Sequence, residues 1–246
     1  MNERLTGLPR SQRTEDERLF EAPALERAAF THTDPWRVLR IMGEFVEGFD
    51  TLSDLGHAVA MFGSARTPTD DPMYEKAVET ARLLAREGFA VITGGGPGIM
   101  EAANRGAQEG NGLSVGCNIE LPFEQGTNAY VERPINFHYF FVRKTMFVKY
   151  SIAFIVFPGG FGTLDELFES LTLIQTGKIR NFPVVLFGRA YWAGLTDWLR
   201  DRVVGEGKID VRDLDLFHVT DHAAEAASLI MQARERRSRE LAALNP

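Results

Sequence analysis

Short apolar runs alternate with helical patterns along most of the chain. The runs are rich in Val, Ile and Phe and do not alternate strictly between apolar and polar positions, which is typical of strands covered on both faces. Amphipathic segments of helical period lie between them, and strand followed by helix indicates βαβ units. The pattern therefore predicts an α/β fold with one parallel sheet. The five predicted strands are 57–62, 89–93, 113–119, 153–157 and 183–187.

The first 33 residues differ from the rest, because they carry many Arg and Glu residues and little apolar periodicity. They form either a mobile arm or a segment that orders on a neighbouring subunit, with plain disorder as the simpler alternative. Asp34 and Pro35 then favour a helix start. We predict a charged arm over 1–33 and one Rossmann-like, doubly wound domain over 34–246. The helix after Pro35 has one apolar face, made of Trp36, Leu39, Met42, Val46 and Phe49.

Composition narrows the possible functions. The 246 residues include 27 Lys plus Arg and 34 Asp plus Glu, a formal net charge of −7, and such a chain lacks the basic footprint of a nucleic-acid-binding protein. The 18 Phe, 3 Trp and 5 Tyr require burial, which excludes disorder of the whole chain. The single cysteine, Cys117, excludes an internal disulfide framework, and the five histidines show no metal-ligand spacing.

Membrane association is not expected from the sequence either. No apolar run approaches the roughly 20 residues that span a bilayer. The initial segment, MNERLTGLPR, lacks the apolar stretch of a secretory signal. These features predict a cytoplasmic protein with neither a membrane nor a nucleic-acid partner.

Three predicted strands end in glycine-rich turns, at 63–64, 94–98 and 159–163. Ligands of open α/β sheets bind at the carboxyl ends of the strands. Glycine lets a ligand approach the backbone, and a helix N-terminus beyond the turn offers free N–H groups to an anion. The alternative is that these glycines only close tight turns. Three such turns in one sheet favour a phosphate site.

The usual nucleotide signatures are absent from these turns. Neither 94–100 nor 159–166 has the G-x-G-x-x-G spacing of dinucleotide-binding proteins, and the Gly-Lys pairs at 177–178 and 207–208 are followed by Ile rather than Ser or Thr. The ligands that the sequence still allows are therefore a mononucleotide and a sugar phosphate.

Candidate catalytic groups lie near the third turn. Thr163 and Glu166 have the T-x-x-E spacing of a capping box, so Glu166 either caps a helix or places a carboxylate beside bound phosphate. The segment 137–150 surrounds Arg143 and Lys144 with six aromatic residues. These aromatics suit a core or a subunit interface better than base stacking, whereas Arg suits bidentate recognition of phosphate.

The motifs together resemble one family. PGGFGTLDE (158–166) resembles the P-G-G-x-G-T-x-x-E motif of the LOG ("Lonely Guy") family, GGGPGIMEAANRGA (94–107) its second glycine motif, and FFVRK (140–144) the segment with its catalytic arginine. LOG proteins are cytokinin riboside 5′-monophosphate phosphoribohydrolases, and many are mislabelled lysine decarboxylases. The resemblance covers roughly 57–240. The arm and the long C-terminal helix resemble the longer LOG type, which forms homodimers or larger assemblies.

The resemblance implies a nucleotide-binding catalytic domain that hydrolyses the N-glycosidic bond of a nucleoside 5′-monophosphate, AMP or N6-prenylated AMP, to free base and ribose 5-phosphate. It implies that Arg143 and Glu166 are catalytic, with no metal and no cofactor. The resemblance also implies that the substrate's phosphate is bound by Gly159, Gly160, Gly162 and Thr163. The expected ribose and base contacts are Ser64, Gly95, Gly96, Met100 and Lys144.

Two other interpretations compete. The molybdenum-cofactor carriers resemble this family in fold and glycine turns, and such a protein would use the anion site without catalysis. A genuine decarboxylase normally needs pyridoxal phosphate on a lysine, and none of the five lysines lies in a context typical of that cofactor. The presence of both Glu166 and Arg143 favours the hydrolase.

Overall fold

A computed structural model describes residues 14–20, 34–120 and 126–244. Within them the chain forms a seven-stranded sheet in which every neighbouring pair is parallel. The strands are β1 (Ala58–Phe62), β2 (Ala90–Thr93), β3 (Ser114–Ile119), β4 (Arg133–Phe137), β5 (Phe154–Val156), β6 (Val184–Phe187) and β7 (Phe217–Thr220). Their order across the sheet is β4-β3-β2-β1-β5-β6-β7. The predicted α/β class is confirmed.

Helices cover both faces of this sheet. One apolar cluster joins the sheet to side chains such as Leu52, Met146 and Leu167, and the other joins it to side chains such as Val78 and Ile230. The sheet is therefore doubly wound, as predicted. The helices are α1 (Glu15–Leu19), α2 (Asp34–Leu52), α3 (Pro72–Arg86), α4 (Ile99–Glu109), α5 (Phe140–Tyr150), α6 (Phe161–Gln175), α7 (Arg189–Trp198) and α8 (Ala223–Leu244).

All five predicted strands are present, but the sequence pattern missed β4 and β7. Both lie at the edges of the sheet, where only one neighbour is available. β4 contains Pro134 and alternates between exposed and buried positions, and three of the four residues of β7 are not fully buried. Neither segment has the continuous apolar run by which a central strand is recognised.

Four of the five residues of the apolar face predicted for α2 point away from the core, whereas Trp36 is half-buried. Leu39, Met42, Val46 and Phe49 are 52%, 56%, 66% and 38% exposed. The helix instead packs through a face that includes Gly48, where an added Cβ would lie 2.9 Å from the sulfur of Met146. Glycine at this position permits close packing of α2 on α5.

Most of the predicted arm, 1–33, lies outside the described residues. The exception is 14–20, which contains α1. None of the helices within the described residues combines the length and the apolar character that a membrane span requires.

Candidate functional site

The three glycine turns meet where the strand order reverses. β1 leads to β2 on one side, and the chain later returns to place β5 on the other side. Ser64 N donates a hydrogen bond of 2.9 Å to Pro158 O, and Ile99 N donates one of 3.1 Å to Ser64 O. The turns after β1, β2 and β5 are thereby joined at the switch point where ligands of such sheets bind.

Two of the three turns lead directly into open helix ends. α4 begins after Gly98 and α6 after Gly160, and in the described part of the chain neither end has a side-chain cap. The N–H of Ile99 in α4 is already bonded to Ser64 O, so the first N–H groups of α6 and those that follow Ile99 in α4 remain available to an anion. The turn after β1 does not lead to the open helix end that we expected, because α3 begins at Pro72 and the Asp71 carboxylate caps it by accepting a hydrogen bond from Met73 N at 2.7 Å.

The turn before α6 is shaped by its glycines. A Cβ on Gly159 would lie 2.1 Å from Thr163 Oγ1, whereas a Cβ on Gly160 or Gly162 would meet open space. Thr163 is buried in the first turn of α6, and its N–H donates to Gly160 O at 3.0 Å. The four predicted phosphate contacts are thus adjacent, with free volume beside two of them.

The capping-box interpretation of Glu166 is wrong. α6 begins at Phe161, so Thr163 and Glu166 lie inside the helix, and among the described residues no side chain caps its N-terminus. Glu166 is 4% exposed, and its Oε2 has no hydrogen-bond partner among the described residues. A buried carboxylate oxygen without a partner is costly, and such groups occur where chemistry requires them.

Burial raises the pKa of Glu166 to about 7. The cations of Lys144 and Arg143 act in the opposite direction, and the carboxylates of Glu169 and Asp165 raise the pKa further. The carboxyl group therefore changes charge near neutral pH, which is the range in which general acids and bases work best.

Arg143 reaches the same region from the first turn of α5. Its Nε is buried with no hydrogen-bond partner in the described part of the chain. The guanidinium carbon lies 5.0 Å from the ring centroid of Phe140 and 5.6 Å from that of Phe147. Burial lowers the pKa of Arg143, and Glu166 is the strongest of the anions that oppose this shift. The structure therefore brings the two predicted catalytic residues together.

Lys144 connects α5 to α6. Its Nζ lies 2.9 Å from Asp165 Oδ2 and 3.0 Å from Glu169 Oε2. Burial lowers the pKa of Lys144, but donation of its N–H groups to these carboxylates outweighs burial, so the pKa is raised. Lys144 thus holds the helix that carries Arg143 against the helix that carries Glu166. Its role as a ribose or base contact stays a prediction.

A polar network supports the turn after β2. Gly95, with a φ of +73°, donates its N–H to Thr93 Oγ1 at 2.9 Å. The Asn128 amide donates to Gly95 O, Gly96 O and Asn104 Oδ1 at 3.1, 2.9 and 2.9 Å. Because these bonds fix both carbonyl groups, the turn keeps one shape.

The remaining predicted contacts surround this turn. A Cβ on Gly94 would lie 2.8 Å from Met100 Sδ and 3.8 Å from Arg143 Nη1, so Met100 and Arg143 both reach the turn after β2. The Ser64 hydroxyl accepts a hydrogen bond of 3.0 Å from Arg66 N. That bond supports the turn role of Ser64, and its contact with a ligand stays a prediction.

Sequence reasoning missed two residues that shape the site. Asn128 supports the second glycine turn, and the Tyr191 hydroxyl donates to Gly159 O at 2.7 Å. Each acts on a turn more than 30 positions away in the chain. No local motif marks either residue, because these contacts depend on the packing of elements distant in sequence.

Sequence comparison identifies relatives of this chain. A family model described as "Possible lysine decarboxylase" matches residues 100–230. "Probable cytokinin riboside 5'-monophosphate phosphoribohydrolase LOG4" of Oryza sativa subsp. japonica is 32% identical over 157 residues, which span 62% of this chain and 66% of the rice protein. "Cytokinin riboside 5'-monophosphate phosphoribohydrolase" of Mycobacterium tuberculosis is 29% identical over 165 residues, spanning 66% of this chain and 87% of the mycobacterial protein.

Structural comparison extends the likeness in fold. The molybdenum cofactor carrier protein of Chlamydomonas reinhardtii superposes with a TM-score of 0.53 at 22% identity, over 73% of this chain and 97% of the algal chain. A likeness at this level of identity concerns the fold alone, since one fold hosts many functions.

Proposed function

The chain belongs to the LOG family, and we propose that it hydrolyses the N-glycosidic bond of nucleoside 5′-monophosphates. The products are a free base and ribose 5-phosphate. The substrates that we propose are AMP and N6-prenylated AMP. The proposal follows the names of the relatives and the chemistry of the site.

One observation carries the proposal. Glu166 Oε2 and Arg143 Nε are both buried without hydrogen-bond partners among the described residues, and they lie on the two helices that Lys144 joins. The Glu166 carboxylate follows directly on a turn whose helix end is open to an anion. A carboxylate and a guanidinium near a phosphate site suit cleavage of the glycosidic bond of a sugar phosphate.

The phosphate group would bind at the N-terminus of α6, against Gly159, Gly160, Gly162 and Thr163. Because the phosphate lies away from the bond that breaks, its binding energy can position the sugar for reaction. The ribose and base would then face Gly95, Gly96 and Met100. Ser64 and Lys144 would contribute from the neighbouring turn and from α5.

In the reaction, the bond between C1′ and the base nitrogen breaks, and its electron pair leaves with the base. Positive charge develops on the ribose ring, as in other glycoside hydrolyses. The ionised Glu166 would stabilise this charge or accept a proton from the attacking water. The water oxygen bonds to C1′, and the departing base gains a proton. Arg143 would orient the substrate or stabilise the charge on the leaving base.

The experiment is base release from AMP by the purified protein, followed by chromatography. Glu166→Gln should lower turnover by about 10² to 10⁴ if the group acts on a proton or on developing charge. Glu206→Gln, which removes an exposed carboxylate, should leave turnover unchanged. Isopentenyladenosine monophosphate as a second substrate tests the base. Full activity in Glu166→Gln would contradict the assignment, and binding of nucleotide or molybdenum cofactor without any base release would favour a carrier.

We also propose that the chain forms a homodimer or a higher homo-oligomer through α2. Leu39, Met42, Val46 and Phe49 are spaced by three, four and three residues and are all exposed. This is the spacing of a heptad seam, which packs against a facing helix. A second copy presents the same seam, and an isologous pair would bury both.

A further inference from the structure

The N-terminus of α5 is held by carboxylates from other helices. Its N-cap residue, Tyr139, provides no side-chain cap. Instead, Asp16 Oδ2 accepts a hydrogen bond from Phe140 N at 3.0 Å. Glu44 on α2 accepts bonds from His138 N at 3.1 Å and from Tyr139 N at 3.3 Å. The start of the helix that carries Arg143 is therefore defined by residues far upstream in the chain.

Asp16 belongs to α1, and other residues of this short helix hold it in place through contacts with the rest of the chain. Glu15 is buried, and its Oε2 lies 2.6 Å from Arg40 Nη2 and accepts a bond from the Tyr139 hydroxyl at 3.4 Å. Leu19 packs against the apolar cluster beneath the sheet. α1 is thus fixed against α2 and α5, and it brings Asp16 to the open end of α5.

Asp16 connects directly to the turn that carries Arg143. Arg143 N donates to Tyr139 O at 3.3 Å, which closes the first turn of α5. The Arg143 guanidinium lies over the ring of Phe140, the residue whose N–H Asp16 accepts. Burial raises the pKa of Asp16, while the Phe140 N–H and the Arg143 charge lower it. The Asp16 carboxylate and the guanidinium therefore lie within electrostatic reach of each other.

We propose that Asp16 is a positioning residue for the reaction: by accepting the Phe140 N–H it fixes the first turn of α5 and holds Arg143 in place beside Glu166. The segment that includes α1 then contributes to the function of the site by positioning Arg143. This inference rests on the proposed function for its effect on turnover, and on geometry alone for its effect on α5.

The test compares three variants of the full chain. Asp16→Ala removes the acceptor, Asp16→Asn keeps an oxygen that can accept the Phe140 N–H, and Glu17→Gln changes the exposed neighbouring carboxylate on α1. Asp16→Ala should lower kcat for AMP about tenfold with little change in KM, since a small misplacement of a catalytic group is costly. Asp16→Asn should recover most of the loss, and Glu17→Gln should match the parent protein.

A second readout does not need hydrolysis. Amide hydrogen exchange in a peptide covering 138–145 should become faster in Asp16→Ala and return towards the parent rate in Asp16→Asn. If no variant hydrolyses a nucleotide but exchange responds in this way, the proposed function fails while the positioning of α5 stands. Unchanged exchange and kcat in Asp16→Ala, or an equal loss in Asp16→Asn, would overturn the proposal.

Discussion

The Tyr191 hydroxyl donates a hydrogen bond of 2.7 Å to the carbonyl oxygen of Gly159, so α7 holds the turn that opens α6. Tyr191 is itself half exposed, and its ring packs edge-on against Trp192 at 4.9 Å between centroids. Because Gly159 is the first of the proposed phosphate contacts, this bond sets the position of their backbone.

Loss of that hydroxyl should weaken substrate binding. Tyr191→Phe removes one hydrogen bond, worth about 1 kcal/mol, and should raise KM for AMP about fivefold with little change in kcat. The matched control is Tyr150→Phe, which removes a hydroxyl bonded to the carbonyl of Phe49 at 3.1 Å. Steady-state kinetics of both variants check this, and equal KM values for the two would contradict it.

The pH dependence of turnover should report the titration of Glu166. Its carboxyl has a pKa raised to about 7 by burial, and the proposed role requires the ionised form. The value of kcat/KM should therefore rise with pH through about 7 and then level off. Glu166→Gln should lose this rise, while any titration of the substrate phosphate persists in both proteins. A parent profile that falls with pH over the same range would assign Glu166 as an acid.

The same carboxyl should make folding stability depend on pH. The folded pKa of Glu166 lies above its ordinary value of 4.5, so the folded state binds more protons than the unfolded state between these values. Stability should fall as pH rises from about 4.5 to about 7, and then stay level. Glu166→Gln should be more stable than the parent protein at pH 8, by on the order of 2 to 3 kcal/mol.

Urea denaturation at pH 5 and pH 8 checks that expectation. The difference between Glu166→Gln and the parent protein should shrink at pH 5, where the parent carboxyl is largely protonated in the folded state. Glu206→Gln is the control for general effects of charge. A stability difference equal at both pH values would show that Glu166 is not buried as an ionised group.

Removal of the cation at Lys144 should shift this titration. Its ammonium lowers the pKa of Glu166, so Lys144→Met should move the rising part of the activity profile to higher pH. Lys149 lies on the same helix and has an exposed side chain. Lys149→Met should therefore leave the pH profile unchanged. A profile in Lys144→Met that coincides with the parent profile would contradict the electrostatic coupling.

Charge placed on α2 should disrupt self-association. Val46→Glu introduces a carboxylate at an exposed position in the middle of the apolar stripe, and two copies would then place like charges in one interface. Light scattering after size-exclusion chromatography should show an oligomer for the parent protein and a smaller species for Val46→Glu. Glu47→Gln, at an exposed neighbouring position, should not change the mass.

The central strands and the motif residues could be predicted because their signals are local. β1, β2 and β5 are fully buried runs, and Glu166 follows its glycine turn within a few positions. The edge strands could not be predicted, because β7 mixes apolar and polar residues and is only partly buried.

The supports of the site were not predictable either. Asp16 reaches Phe140 across more than 120 positions. Such contacts arise only when distant elements have packed, and no spacing rule within one segment contains them.

The placement of β1 also constrains how the chain folds. Ala60 pairs with Ile92 on one side and with Phe154 on the other, so one edge of the central strand stays open until the chain has returned from β4. Non-local parallel pairing of this kind is slow to form, and an open apolar edge invites association with other chains in the meantime. The pairing that closes this edge also brings the turns after β1 and β5 together, so the candidate site is assembled by the same step that covers the central strand.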